Sequence, residues 1–155
     1  MINIEKDKYI IVELIPSHSS SEKGVIVQLQ ALKIERLELI ERFDYRLIDE
    51  KIENKDLLNM ISYDKESFKY VLDSKEIIRD FKKFSKGIPL LIIDNSYTID
   101  YLKEFKNKKE SIFKYLDLEF SEDVFSKIIT KYNLEVSNHL VDLLYEALIY
   151  ESNNK

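Results

Sequence analysis

The run YIIVELI, Tyr9 to Ile15, is apolar at every position but one. It is far too short to span a membrane and too continuous for an exposed strand, so it reads as a buried strand. The exception is Glu13. A charge buried alone is prohibitively costly, so a carboxylate here must either reach an exposed face or hold a partner such as a metal ion.

Three further segments carry strand character. Gly24 to Ile34 alternates weakly. Leu37 to Ile48 alternates strongly, with Leu37, Leu39, Phe43, Tyr45 and Leu47 expected on one face, and Ile88 to Ile93 is a short apolar run. Only Glu35 and Arg36 separate the second segment from the third, which predicts an antiparallel hairpin, although the turn lacks the Gly or Asn that primed turns favour.

Helical signals follow. Asp73-Ser-Lys-Glu76 resembles a capping box before Ile77, Ile78, Phe81 and Phe84, with Gly87 beyond the end. Ser96 can cap a helix carrying Ile99, Leu102 and Phe105. Ser121, Glu122 and Asp123 precede Val124, Phe125, Ile128, Ile129 and Tyr132, and a last helix from about Asn138 carries Leu140, Leu144, Ala147 and Leu148. A meander of strands, then helices around a returning strand, predicts an α/β protein with helices packed on a mixed sheet.

At 155 residues and 45% hydrophobic content, one domain spanning residues 1–155 with a single substantial core is expected. The net charge of −5 argues against a broad basic surface, yet 24 Lys and Arg leave room for a local basic groove. The absence of cysteine excludes disulfides, thiolate zinc sites and cysteine nucleophiles. Without a basic segment leading into a long apolar stretch at MINIEKDKY, or any run approaching a membrane span, a cytoplasmic protein with no membrane association is expected. The two glycines, Gly24 and Gly87, cannot build a glycine-rich phosphate loop.

Several phrases, taken in order, carry a resemblance. YIIVELIPS is similar to a first strand with the motif vvDxETT, and KGVIVQLQALKIERLELIERFDYRLI to the hairpin that follows it. LLNMIS, Leu57 to Ser62, falls where ltGIt is found. PLLIIDNSYTIDYL resembles plvaHNaxFDxxFL, and SNHLVDLLYEALIY resembles the closing HrAlxDAxat segment. Together they resemble the DnaQ-like, DEDDh-type 3′–5′ exonucleases. The resemblance implies a ribonuclease H-like mixed sheet, an antiparallel three-strand meander plus parallel strands, with helices packed on it.

It also implies four carboxylates holding two divalent metals, with a histidine as general base. Residues i and i+2 of a strand share a face, so the first motif supplies two carboxylates to one centre. Here those positions are Glu13 and Ile15. Matching Tyr97, Ile99, Tyr101 and Leu102 to the second motif puts Thr98 at its aspartate. Promoting Asp100 instead would rotate the helix by about 200°. In the last motif His139 matches the base, Leu144 takes the place of the aspartate, and Asp142 is again about 200° away.

Of five functional positions, His139 is kept, Glu13 is conservatively changed, and Ile15, Thr98 and Leu144 are substituted. Two-metal catalysis does not survive the loss of three ligands, because the clustered carboxylates offset the repulsion of two cations. The resemblance therefore implies a catalytically degenerate module in nucleic-acid metabolism. No cofactor is expected. Its expected partner is a protein, such as a polymerase or helicase subunit, or a second copy of the chain; nucleic acid is not favoured by the acidic balance. The alternative is an active exonuclease using Mg²⁺ or Mn²⁺, with ligands rebuilt from Glu13, Asp94, Asp100, His139 and Asp142.

Plainer roles are expected for individual residues. Glu13 would lie at a strand end, solvated or hydrogen-bonded to Thr98 or His139. His139 would cap or pack, and His18 would be exposed in the serine-rich loop. Asp94 and Asn95 would serve local turn and cap hydrogen bonds, and most of the ten tyrosines would be core and rim aromatics.

Overall fold

The computed structural model describes residues 1–48, 68–119, 121, 123–135 and 140–154. Leu57 to Ser62, Glu122 and His139 lie outside the described residues. The described strands are β1 (Lys8–Pro16), β2 (Ile26–Glu35), β3 (Glu38–Leu47), β4 (Lys69–Val71), β5 (Leu90–Ile92) and β6 (Lys109–Ser111). The described helices are α1 (Ser74–Phe84), α2 (Ser96–Tyr101), α3 (Phe113–Leu116), α4 (Val124–Tyr132) and α5 (Leu140–Asn153). None of them is long and apolar enough to cross a membrane.

The strands form one sheet in the order β4-β3-β2-β1-β5-β6. β2 runs antiparallel to β1 and β3, while β5 is parallel to β1, β6 to β5 and β4 to β3. This is an α/β architecture with a mixed sheet. β4 and β6 have three residues each, too few for alternation to be visible in the sequence, and both were absent from the expected element order.

β1 is central because both of its faces are apolar. Tyr9 and Ile11 point into a cluster with Leu32, Ile34, Leu91, Ile128, Val141, Leu144 and Leu148, covered by α4 and α5. Ile10, Val12 and Leu14 point the other way, into a cluster with Leu29, Phe43, Ile77, Phe81, Leu90 and Phe105, covered by α1 and the chain around α2. Each such side chain contributes about 1.5–3 kcal/mol on burial. A strand stripped of either cover would forfeit several of these terms.

Local details correct the expected pattern in three places. The register of β3 shifts opposite Lys33 and Ile34, so Ile34 pairs with Leu39 while Lys33 pairs with Glu41. That extra residue breaks the period of two. Phe43, Tyr45 and Leu47 keep to the second face, whereas Leu37 packs against the first cluster and Leu39 is exposed.

The second correction concerns α2. Its cap is Asn95, whose Oδ1 accepts the Thr98 N–H at 2.8 Å, and the helix ends at Tyr101. Ile99 is exposed, because the buried stripe is Thr98, Tyr101, Leu102 and Phe105, the i, i+3, i+4, i+7 positions of a period that leaves Ile99 outside. The third is Ser121, whose hydroxyl donates to Asp123, the residue at the cap position of α4. α1 is capped by Asp73 as expected, its carboxylate accepting the Lys75 N–H at 2.9 Å, while Glu76, the expected second half of a capping box, pairs with Arg79.

The β2–β3 hairpin closes through Arg36 and Leu37, both left-handed at φ 51° and 66°. For side chains with a Cβ this costs roughly 1–2 kcal/mol each. Leu37 is compensated by packing and by the Tyr145 hydroxyl, which donates to its carbonyl at 2.6 Å. Arg36 is exposed, and only a long 3.4 Å backbone bond to Asp7 is seen at its N–H. Arg36→Asn, suited to this conformation, is expected to raise stability by about 0.5–1 kcal/mol. A higher midpoint in urea unfolding, with the slope unchanged, is the measurement that checks it.

Candidate functional site

Residues 13 and 15 of β1 share the face that carries α5, because side chains alternate along the strand. Beyond the apolar cluster, this end of the face turns polar. Glu13 lies opposite Gln30 of β2, which lies opposite Asp44 of β3; Ile15, Gln28 and Arg46 form the next row.

The two rows are laced together by hydrogen bonds. Gln30 Nε2 donates to Asp44 at 3.0 Å, and Gln28 Nε2 is 3.4 Å from Gln30 Oε1. Arg46 donates to Gln28 Oε1 through Nε and Nη2 at 3.1 and 2.7 Å while lying over the Phe68 ring at 4.3 Å. Arg42 donates to Asp44 at 3.1 Å and, through both terminal nitrogens, to the two oxygens of Asp142 at 2.7 and 3.0 Å. Forked pairing of this kind is strong and directional, and it fixes the first turn of α5 over the sheet. Asp142, chiefly, raises the Arg42 pKa further.

Sequence reasoning passed over this row. Its signal was present: Gln28 and Gln30, then Arg42, Asp44 and Arg46, recur with a period of two in the two strand segments. Gln28 and Gln30 are fully buried, a position polar side chains occupy only when hydrogen-bonded.

Glu13 sits at the edge of that network without being absorbed into it. It is buried at 8% exposure, and its Oε2 has no hydrogen-bond partner among the described residues. Glu13 is not solvated, and no hydrogen bond to Thr98 is found; His139, the other expected partner, lies outside the described residues. Burial pushes its carboxyl up to about 7; the Val141 N–H in the first turn of α5 opposes the rise, and the charge of Asp142 adds to it. Tyr97 stands close enough that the charge of Glu13, after burial itself, raises its pKa. Among the described residues Asn95 Nδ2 is a further buried atom without a hydrogen-bond partner.

The other positions are placed as follows. Ile15 is buried beside Gln28, and Leu144 is fully buried in the first apolar cluster. Thr98 is buried on α2. Asp94 is exposed. Asp100 accepts the Ser21 N–H at 2.7 Å and pairs with Lys103 at 3.2 Å, and these contacts, the Ser21 bond foremost, lower its pKa. Among the described residues, no group of three or more His, Asp or Glu side chains could hold a metal ion.

His18 is half-buried, a departure from the exposed role expected of it. Its Nδ1 lies 2.9 Å from Ser17 Oγ, and its carbonyl accepts the Tyr101 hydroxyl at 2.7 Å. The same loop requires Gly24, since a Cβ there would come within 2.3 Å of the Tyr101 oxygen and 2.8 Å of His18.

No protein-family model matches the chain, and no curated protein matches it.

The raised pKa of Glu13 sets a sign for the pH dependence of stability. With its value moved from 4.5 unfolded to about 7 folded, the folded state holds the proton more tightly. Its contribution is therefore complete below pH 4.5, falls as the pH rises toward 7 and is flat above, a loss on the order of 3 kcal/mol. Glu13→Gln is expected to match the parent protein near pH 4 and to exceed it in stability at pH 8. Urea unfolding at both pH values checks this, and equal stabilities at pH 8 would contradict it.

Proposed function

We propose that the chain is a DnaQ-like protein of the ribonuclease H-like fold that has lost its metal site and acts as a binding or accessory module in nucleic-acid metabolism. The sheet supports the fold half of that proposal. An antiparallel β1-β2-β3 meander, continued on the far side of β1 by parallel β5 and β6, is the arrangement the resemblance implies.

The observation that carries the functional half is the surrounding of Glu13. A carboxylate serving a pair of divalent cations needs further carboxylates around it and must stay ionised. Glu13 instead has the aliphatic Ile15 two residues along its face and is held near half-protonation at neutral pH by burial. Leu144 is committed to the apolar core, and both oxygens of Asp142 are engaged by Arg42. These donors do not fit a two-metal centre, and no catalytic step is assigned to them.

A surface that binds is what remains once this chemistry is removed. The proposed partner is a protein, a polymerase or helicase subunit or a second copy of the chain.

Purified protein incubated with labelled single-stranded DNA and RNA in Mg²⁺ or Mn²⁺ is expected to leave both substrates at full length. Progressive 3′ trimming that disappears in Glu13→Ala would overturn the proposal and make the chain a working exonuclease.

A further inference from the structure

The lysines of this acidic chain are not evenly spread. Residues 82–86 read Lys-Lys-Phe-Ser-Lys and residues 103–109 read Lys-Glu-Phe-Lys-Asn-Lys-Lys, with Glu104 the one carboxylate between them. The fold brings the two segments together. Asn107 Nδ2 donates to the carbonyls of Ser85 and Ile88 at 2.6 and 2.8 Å. The Leu90 N–H donates to the Lys108 carbonyl at 2.7 Å, and the rings of Phe81 and Phe105 meet edge to face at 5.3 Å.

The turn after α1 and the turn before β6 thus form one basic corner. Lys82, Lys83, Lys86, Lys106 and Lys108 are all exposed there. Lys82 lies over the Phe105 ring at 5.8 Å, and the other four have no ion-pair partner among the described residues. Within the two segments Lys103 is paired, with Asp100 at 3.2 Å, so the open charge of the corner is that of Lys82, Lys83, Lys86, Lys106 and Lys108 together. Unneutralised like charges repel one another, so a cluster of this kind raises the local potential and attracts a polyanion.

The corner is remote from Glu13. Both lysine segments precede parallel strands, β5 and β6, and lie at the N-terminal ends of those strands. Glu13 follows the part of β1 that pairs with β5, at the opposite end of the sheet.

We propose that this corner docks the phosphodiester backbone of a nucleic acid, independently of base sequence. The side chains decide the chemistry. Lysine is a flexible point charge, suited to following a row of phosphates, whereas forked recognition of carboxylates on a protein partner favours arginine, and this corner has none. Net charge conceals the surface because the carboxylates that outnumber the lysines lie elsewhere.

Binding of a fluorescein-labelled 20-nucleotide single-stranded DNA, and of its RNA counterpart, is measured by anisotropy in EDTA. Four phosphates neutralised would give a logarithmic salt slope of about −3, or about a sixty-fold loss between 50 and 200 mM KCl. Lys83→Glu with Lys106→Glu is expected to weaken binding about tenfold or more at 50 mM KCl. Lys23→Glu with Lys127→Glu changes net charge equally at other places and is expected to leave most of the binding intact, with unaltered melting verifying that both variants fold.

No binding at 50 mM KCl, or equal weakening by both pairs, overturns the proposal. Competition by polyglutamate as effective as by unlabelled oligonucleotide also overturns it and assigns the corner to an acidic protein. Nuclease activity would overturn the function proposed above and leave this docking surface standing, since the two tests read opposite ends of the sheet.

Discussion

The structure depends on the double burial of β1. A strand that is apolar on both faces must be paired on both sides and covered above and below. β2 and β5 supply the pairing, α4 and α5 one cover, and α1 with the chain around α2 the other. Every other described element either extends this sheet or seals one of the two clusters. The penalty of leaving either face open, several side chains at about 1.5–3 kcal/mol each, is comparable with the whole stability of an ordinary domain.

Against that background Glu13 is a local conflict. Its strand position is dictated by the apolar residues on either side, so it cannot move to water without unseating them. Burial raises its pKa and one backbone N–H from α5 opposes the rise, while Arg42 holds Asp142, whose charge adds to it, in a separate pair. Buried polar groups without full partners are retained at a cost. The lattice of Gln28, Gln30, Asp44 and Arg46 shows the contrasting case, in which polar side chains are buried with their hydrogen bonds made.

Much of the fold was legible because long elements carry periodic signals. The three meander strands, the Asp73 cap and the buried faces of α1, α4 and α5 follow from spacing alone. The misses share a cause in length and local geometry. Strands of three residues hold too little pattern to be seen, a bulge opposite Lys33 reverses the alternation expected of β3, and a six-residue helix leaves Ile99 in solvent. At the site, the strand face shared by Glu13 and Ile15 could be read from period two. Whether Glu13 met water or apolar neighbours could not, because the neighbours come from α5, more than a hundred residues later.

The amino-acid sequence by itself determined which residues must be buried, the order of the main elements, and that positions 15, 98 and 144 carry no carboxylate. Tertiary structure decided what no local window contains. It decided that Arg42 would clamp Asp142, that Glu13 would be buried with an oxygen unpartnered among the described residues, and that two lysine-rich turns some twenty residues apart would meet at one corner. Periodicity reports a side chain's direction relative to its own element, whereas electrostatics depends on distance in space, and only the packed chain sets that distance.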